Sequence, residues 1–335
     1  MAGILLALTL GTATAQFSTP PVGIYKFNCL GGSDTVVSIP FHRAPIWQGT
    51  LDGPPVPVEN QVSRLNLHGD GPFDGGLPDD GRRYYAYFLP GSQREGTIAS
   101  IVSSVGPSIE VNMGAGALAG ATIGDRLAVI PAWTIADLFP PETQTSIHSS
   151  SGNLLTQRKS ELLLFDSSGE GINLSAPRKL FLRSDGNWID SGTFEEAGGI
   201  VVLPGAPFIV RHPVGCEDTE FVAKESVFVG RVAIPIRTGR DGGQDNAVAL
   251  PRPIDLLLGE LSFGVGVFQE SPTTDPGDRK DTLLVFDNTE ARINKKPSGV
   301  FFRFSGKWYR DEPGFPEASD FVISGGAGMI VRKAS

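Results

Sequence analysis

Most residue patterns that mark an enzyme active site are missing from this sequence. Its 335 residues include two cysteines and four histidines, and the histidines stand singly at His42, His68, His148 and His212. That spacing gives no zinc-binding pair of the H-x-H or H-E-x-x-H kind. Neither a G-x-S-x-G nucleophile elbow nor a G-x-x-x-x-G-K-[ST] phosphate loop occurs. We therefore predict a protein that is not an enzyme, with calcium as the one cofactor to consider.

Basic clusters and long apolar runs are also missing. The chain has 28 Lys and Arg against 37 Asp and Glu, a net charge of −9. Binding to nucleic acid draws most of its affinity from neutralised phosphates, so we expect no nucleic-acid partner. No stretch reaches the roughly 20 apolar residues that a membrane-spanning helix needs. We therefore expect no membrane span.

Glycine and proline are present in excess, with 42 and 26 residues. In a helix interior they cost about 1 and 3 kcal/mol relative to alanine, which excludes a helical bundle. A hydrophobic content of 40% is nevertheless enough to form a core. Short apolar segments such as 83–89 and 96–102 are bounded by Gly or Pro, which is typical of short antiparallel strands. We predict two short helices, at Trp133–Phe139 and Ile254–Leu261.

The N-terminus has the pattern of a secretory signal peptide. A short apolar run ends in Ala13-Thr14-Ala15, so cleavage is predicted after Ala15. No Lys or Arg precedes the run, so either the α-amino group supplies the positive charge or the true start lies upstream. The alternative is a buried N-terminal strand or helix. We expect an exported protein in the periplasm, on the outer surface or outside the cell.

The sequence also contains an internal duplication, in which residues 158–211 recur as 279–332 at an offset of about 120. The matched segments are Arg158–Asp166 with Arg279–Asp287, Ile172-Asn173 with Ile293-Asn294, Phe181–Arg183 with Phe301–Arg303, Gly186–Trp188 with Gly306–Trp308, and Gly205–Arg211 with Gly326–Arg332. The offset slips by one residue after the Ile-Asn pair. A weaker match joins Val36–Arg43 to Arg231–Arg237.

This repeat predicts an all-β fold with two related antiparallel halves, each like a sandwich or a barrel. After a signal peptide at 1–15, we place the first half at 16–220 and the second at 221–335. The first half is longer between its matched ends. We therefore place an inserted small β subdomain at about 50–131.

Acidic loops are the candidate calcium sites. Calcium takes six to eight oxygen ligands, which Asp/Gly loops can supply. The candidate ligands are Asp70, Asp74, Asp79 and Asp80 in one loop, and Asp241 and Asp245 in another. Neither loop has EF-hand spacing, and Asp and Gly are also ordinary turn residues. The repeated Asp166 and Asp287 are interpreted as acceptors of backbone N–H groups.

The cysteines and tryptophans supply the other candidate residues. Cys29 and Cys216 either form a disulfide that ties the halves together or stay as two separate thiols. Trp47 and Trp133 are candidates for a ligand platform, as in glycan stacking. Trp188 and Trp308 hold equivalent places in the repeat, which favours a role in the core over a duplicated platform.

Three segments resemble a family of uncharacterised exported proteins that has many paralogues in Verrucomicrobia-type bacteria. They are Gly23–Arg43, Gly124–Pro140 and Gln244–Pro253, and the resemblance covers nearly the whole mature chain. It implies a bacterial exported protein with many siblings. The family has no established activity, so it assigns no catalytic residue here.

We therefore expect an exported non-enzymatic β-protein, a structural or adhesion component of the cell surface or the secreted fraction. The alternative is a carbohydrate-binding module or glycan-active hydrolase. A hydrolase needs two carboxylates roughly 5–10 Å apart across a cleft. The expected partners are a second copy, bound through open sheet edges, or a surface glycan.

Overall fold

The protein has an all-β fold, seen in a computed structural model in which strands make up 38% and helices 4% of the described residues. The structure describes residues 21–59, 61–69, 73, 76–78, 80–165, 169–240 and 242–334. The strands within its sheets pair antiparallel, as predicted. The sandwich or barrel form of each half and the domain boundaries remain predictions. Within the described residues, no helix has the length and apolar composition needed to cross a membrane.

The described strands are short and follow one another closely. In chain order they are β1 (Val22–Cys29), β2 (Ser33–Val37), β3 (Trp47–Thr50), β4 (Val56–Glu59), β5 (Val62–Asn66), β6 (Tyr84–Phe88), β7 (Ile98–Val105), β8 (Ser108–Val111), β9 (Arg126–Pro131), β10 (Trp133–Thr134), β11 (Glu161–Leu164), β12 (Arg178–Leu182), β13 (Trp188–Asp190), β14 (Val201–Val202), β15 (Phe208–His212), β16 (Thr219–Ser226), β17 (Gln244–Ala249), β18 (Leu256–Leu257), β19 (Thr282–Val285), β20 (Gly299–Phe304), β21 (Lys307–Arg310), β22 (Val322–Ile323) and β23 (Gly328–Lys333).

Two five-stranded sheets carry the repeated sequence. The first sheet has the order β13-β12-β11-β15-β2, and the second sheet has the matching order β21-β20-β19-β23-β17. Equivalent residues hold equivalent places, since Leu163 pairs with Ile209 and Leu284 pairs with Ile330. Two-stranded pairs accompany the sheets: β10 with β14, β18 with β22, and β1 with β16. The two copies therefore fold into sheets of one topology.

The match between Val36–Arg43 and Arg231–Arg237 is wrong. The edge strand of the second sheet is β17, whereas residues 231–237 form no strand. In the ladders Asp34 lies opposite Arg211 and Asp245 lies opposite Arg332. The true equivalents are the segments 34–40 and 245–251, which share Asp, Val and Pro at the same spacing.

The position predicted for the one-residue slip is also wrong. Phe181 pairs with Glu161, and Phe302 pairs with Thr282, so the counterpart of Phe181 is Phe302 rather than Phe301. The slip lies in the following hairpin, because Leu182 pairs with Trp188 whereas Arg303 pairs with Trp308. The turn between β12 and β13 is one residue longer than its counterpart.

The region in which the insertion is predicted forms a seven-stranded sheet, the inserted sheet, with the order β3-β9-β6-β7-β8-β5-β4. Side chains of β6 alternate between two apolar layers: Tyr84, Ala86 and Phe88 enter one cluster, and Tyr85 and Tyr87 enter another. The second cluster includes Phe228, and the Tyr87 hydroxyl donates to the Arg231 carbonyl at 2.9 Å. The segment between β16 and β17, which contains Phe228 and Arg231, therefore covers one face of the inserted sheet.

The predicted helices are shorter than expected. A single turn, α1 (Ile135–Leu138), replaces the first, and a capping box between Thr134 and Asp137 begins it. The second is a 3₁₀ turn at Leu258–Glu260, because Leu256–Leu257 pairs with β22 instead of coiling. Further 3₁₀ turns lie at Leu155–Gln157 and Pro276–Asp278.

Each five-stranded sheet covers a hydrophobic core with one of its faces. Trp188 belongs to the core under the first sheet and Trp308 to the core under the second, with exposures of 1% and 2%. The Trp188 indole donates to the Phe139 carbonyl at 3.1 Å. Both repeated tryptophans therefore fill equivalent places in the two cores, as their duplication suggests.

Candidate functional site

A cleft of about 620 Å³ lies where the outer faces of the two five-stranded sheets meet. Both halves contribute equivalent side chains to it. The lining includes Asp34, Val36, Leu163, Phe165, Asn173, Ile209 and Arg211 from the first half, and Asp245, Ala247, Leu284, Phe286, Asn294, Ile330 and Arg332 from the second. The cleft therefore follows the approximate two-fold relation between the repeats.

On one side of the cleft Asp34, Arg211 and Asn294 form a polar cluster. Arg211 donates from Nε and Nη2 to the two oxygens of Asp34 at 2.6 and 2.7 Å, a bidentate pair. The same Nη2 donates to Asn294 Oδ1 at 2.7 Å, and the backbone N–H of Asn294 donates to Asp34 Oδ2 at 2.8 Å. Since Asn294 comes from the second half, the cluster joins the two halves.

The other side of the cleft repeats this cluster with the halves exchanged. Arg332 donates from Nε and Nη2 to the two oxygens of Asp245 at 2.7 and 2.9 Å. Its Nη2 also donates to Asn173 Oδ1 at 2.8 Å, and the Asn173 N–H donates to Asp245 Oδ2 at 2.7 Å. We call the two clusters together the reciprocal network.

Two loop segments carry the asparagines across the boundary between the halves. The first arm is 169–173 and the second arm is 288–294. Asp245 N–H donates to the Gly171 carbonyl at 2.8 Å, and Asp34 N–H donates to the Arg292 carbonyl at 2.9 Å. Both arm asparagines have left-handed backbones, with φ of 56° at Asn173 and 53° at Asn294. Asparagine tolerates that conformation better than most residues, which suits it to both places.

The network keeps its charges paired. Hydrogen bonds to Asp34 and Asp245 raise the pKa of the Arg211 and Arg332 guanidiniums. The carboxylates are 3% and 6% exposed, so water can satisfy little of their hydrogen-bonding capacity. Each carboxylate accepts both guanidinium bonds and a backbone N–H. A general acid needs a protonated carboxyl with its O–H directed at substrate, and this arrangement does not provide one.

Two lysines also line the cleft. Lys179 is exposed on β12. Lys295 is half-buried beside the second arm and donates to the Asp287 carbonyl at 2.7 Å. Burial lowers the pKa of Lys295, and the negative charge of Asp287 opposes that shift.

A second polar cluster is buried at the end of the first sheet. Ser160 Oγ lies 2.7 Å from His212 Nδ1, and Thr219 Oγ1 lies 2.8 Å from His212 Nε2. Ser160 and His212 are both 0% exposed, so this serine–histidine pair has no access to substrate. Burial, and then the neighbouring His148, lowers the pKa of His212 to about 4.

The second sheet has an ion pair in the equivalent place, where Asp281 and Lys333 replace Ser160 and His212. Asp281 accepts the backbone N–H of Gln269 at 2.7 Å, just as Ser160 accepts that of His148 at 3.0 Å. Both pairs attach a loop to the end of a sheet. The repetition of that task indicates a structural role for the Ser160–His212 pair.

Most of the predicted calcium ligands lie in segments outside the described residues. Asp70, Asp74, Asp79 and Asp241 lie outside the described residues, as does Asp166. Asp80 accepts the Tyr84 hydroxyl and the Arg82 N–H, each at 3.0 Å. Asp245 belongs to the reciprocal network, so it is not a free calcium ligand. Among the residues described, no three His, Cys, Asp or Glu side chains group as metal ligands would.

The two cysteines are separate thiols in the structure. Cys29 is buried, which raises its pKa to about 11, whereas Cys216 is half-buried. Of the two alternatives for this pair, the structure has unbridged thiols. Asp287 accepts the Thr289 N–H at 2.7 Å, the role expected of it.

Trp47 and Trp133 are half-buried and pack against different hydrophobic clusters. The Trp47 ring lies over Gly49, where an added Cβ would be 2.3 Å from it. Trp133 is covered by the Arg43 guanidinium, 4.7 Å from the ring centroid. The structure therefore does not bring the two rings together into one platform.

Sequence reasoning missed the reciprocal network, although part of its signal was present. Asn173 with Asn294, and Arg211 with Arg332, already stand among the matched positions of the repeat. The two aspartates lie outside the matched positions, because the match of Val36–Arg43 to Arg231–Arg237 places the edge strand on the wrong segment.

Compared with known proteins, the chain matches no protein-family model, no curated protein and no solved structure. The cleft is therefore interpreted from its own geometry.

Proposed function

We propose that this chain is an exported, non-enzymatic β-protein that serves as a structural or adhesion component of a bacterial cell surface or secreted fraction. The N-terminal signal pattern and the resemblance to an exported family support the location. The observation that carries the non-enzymatic part is the reciprocal network. It uses the two carboxylates of the cleft to join the halves and leaves neither poised for acid–base chemistry.

Export is tested by expressing the full chain with a C-terminal tag in a Gram-negative host. Fractionation should place the tagged protein outside the cytoplasm, with an N-terminus at Gln16 by mass spectrometry. An intact Met1 in the cytoplasmic fraction would contradict the export proposal.

The non-enzymatic proposal is tested with purified protein on a panel of polysaccharides, with and without calcium. We expect no turnover by the wild type, by D34N or by E110Q. Glu110 is a matched control because it pairs with Arg64 at 2.7 Å on the inserted sheet, outside the cleft. Turnover by the wild type and E110Q that disappears in D34N would overturn the proposal.

Carbohydrate binding is the second candidate, because the exposed amides of Asn173 and Asn294 line the cleft beside its aliphatic side chains. A glycan array probed with the wild type and with the D34N/D245N variant tests this function. Binding that the double variant loses would support a carbohydrate module at the cleft. Binding lost instead in W47A or W133A would place the glycan on those tryptophans.

A further inference from the structure

The cleft has an apolar floor that belongs to neither core. Leu163 and Leu284 are 4% and 6% exposed, and Ile209 and Ile330 flank them half-buried. The opposite faces of the same strands supply the cores, through residues such as Leu162 and Leu283. A solvated face of an antiparallel sheet is usually polar, so two facing aliphatic surfaces around an open volume need an explanation. Ligand pockets have this volume and this kind of lining, and they favour boundaries between domains.

The edge of the floor carries free cationic donors. In the described part of the chain, no hydrogen-bond partner is found for Nη1 of Arg211 or of Arg332. The ammonium of Lys179 likewise has no hydrogen bond or ion pair among those residues. Among the described residues of the lining, four cations outnumber two carboxylates, although the chain as a whole carries −9. The cleft is therefore locally positive on an acidic protein.

We infer that this cleft binds an amphipathic monocarboxylate, with its aliphatic body on the shared floor and its carboxylate at Lys179 and a free guanidinium Nη1. The floor offers aliphatic surface rather than an aromatic stacking platform, which favours an alkyl body over an uncharged sugar. The two aspartates are already paired with arginine, which disfavours a metal cation as the occupant. Lysine and arginine donors to a carboxylate form charge-assisted hydrogen bonds, the strong class of such bonds.

The test is isothermal titration calorimetry of the full chain with octanoate as the probe. Three further probes serve as controls. Acetate has the carboxylate without the alkyl body, 1-octanol has the alkyl body without the carboxylate, and octyltrimethylammonium carries a positive charge on the same alkyl body. We expect octanoate to bind, acetate not to bind, and both other probes to bind about tenfold more weakly or worse. Octanoate affinity should fall as salt is added, because exposed charges are screened.

Two variants place the ligand in the cleft. K179E should weaken octanoate about tenfold, whereas K224E, at an exposed lysine on β16, should leave it unchanged. A176W should abolish binding, because Ala176 lines the cleft from a loop and the indole would occupy its volume. Circular dichroism and thermal unfolding establish that each variant is folded. No octanoate binding by the wild type, or equal binding by the wild type, K179E and A176W, would overturn the assignment.

Discussion

At the residue scale, equivalent positions of the repeat keep the same structural role even where the residue types differ. One such position holds the neutral pair Ser160 and His212 in the first sheet and the ion pair Asp281 and Lys333 in the second. Each pair attaches a loop to the end of its sheet. His212 fits its site as the neutral ring. If Ser160 donates to Nδ1, then Nε2–H can donate to Thr219, whose hydroxyl donates on to the Ser146 carbonyl. A proton on Nδ1 would leave the Ser160 hydroxyl without this acceptor.

This chain of hydrogen bonds predicts a pH-dependent stability. The folded pKa of His212 is about 4, below its ordinary value near 6.5, so the unfolded chain binds the proton more readily. The stabilisation is complete above about pH 6.5 and is lost as the pH falls toward 4. At pH 5 we expect His212 alone to lower the free energy of unfolding by about 2 kcal/mol. Urea unfolding at pH 7 and pH 5 measures it.

The matched variants separate His212 from other titrating groups. H212Q should have a lower free energy of unfolding than the wild type at pH 7. It should also lack the decrease of about 2 kcal/mol between pH 7 and pH 5 that His212 causes. H42Q is the control, because burial also lowers the pKa of His42 and removing it should leave the His212 contribution in place. Equal pH dependence in H212Q and the wild type would contradict the assignment.

The thiols give a second residue-scale prediction. Burial raises the pKa of both thiols, that of Cys29 to about 11, but Cys29 is 0% exposed whereas Cys216 is half-buried. Since the thiolate is the reactive form, Ellman's reagent at pH 8 should titrate one thiol in the native chain and two in denaturant. C216S should leave none reactive in the native state. If denatured, unreduced wild type showed no free thiol, the cysteines would be bridged.

At the element scale, the glycines at repeated turns have different demands. Gly326 has φ +66°, and a Cβ there would lie 2.6 Å from Phe27 Cζ, whereas Gly306 has φ +78° and open space around it. G306A should therefore lower the free energy of unfolding by about 1 kcal/mol, because alanine is strained in the left-handed backbone. G326A also overpacks the Phe27 contact and should lower the free energy of unfolding by about 2–4 kcal/mol. Urea unfolding distinguishes them, and equal losses would show that the Phe27 contact is unimportant.

Several of the sheet edges are covered or interrupted, which bears on self-association. The arms cover β2 and β17, and isolated bridges to Glu196 and Glu317 lie beside β13 and β21. The edge strand β4 carries Pro57 and Glu59, which discourage pairing. We therefore predict a monomer by size-exclusion chromatography with light scattering. A mass that rises with concentration would instead support assembly through an edge.

Local sequence patterns predict where the strands lie, whereas they do not determine which distant strands pair or in which register. Strands bounded by glycine and proline follow from composition, as β6 and β7 show. The Phe301-Phe302 doublet left the register ambiguous by one residue, and only the ladder resolves it. The edge strand of the second sheet was not identifiable either, because the Ile-Pro likeness of 231–237 to the first half is as strong as the correct match at 245–251. Asp34 and Asn294 are far apart in the sequence and come into contact only in the folded chain. No local sequence pattern therefore predicts their hydrogen bond.

At the scale of the whole molecule, the halves exchange contacts as two subunits of a dimer would. Each gives an arm and an asparagine to the other, and the aliphatic faces between them enclose a cleft. Asp34 and Asp245 link each half to the other half's arm, so opening one side should release the other. We therefore expect the two halves to open and close as one cooperative unit.

Hydrogen exchange by NMR on the D34N variant measures the coupling between the two sides of the cleft. The reporters are the amides of Asn173 and Asp245, which belong to the unmutated side of the cleft. We predict that both exchange at least about tenfold faster than in the wild type, since loss of a charged hydrogen-bonded pair weakens the shared closure. D245N should produce the mirror effect at Asn294 and Asp34. Unchanged exchange on the unmutated side, with acceleration confined to the mutated side, would show instead that the two sides open independently.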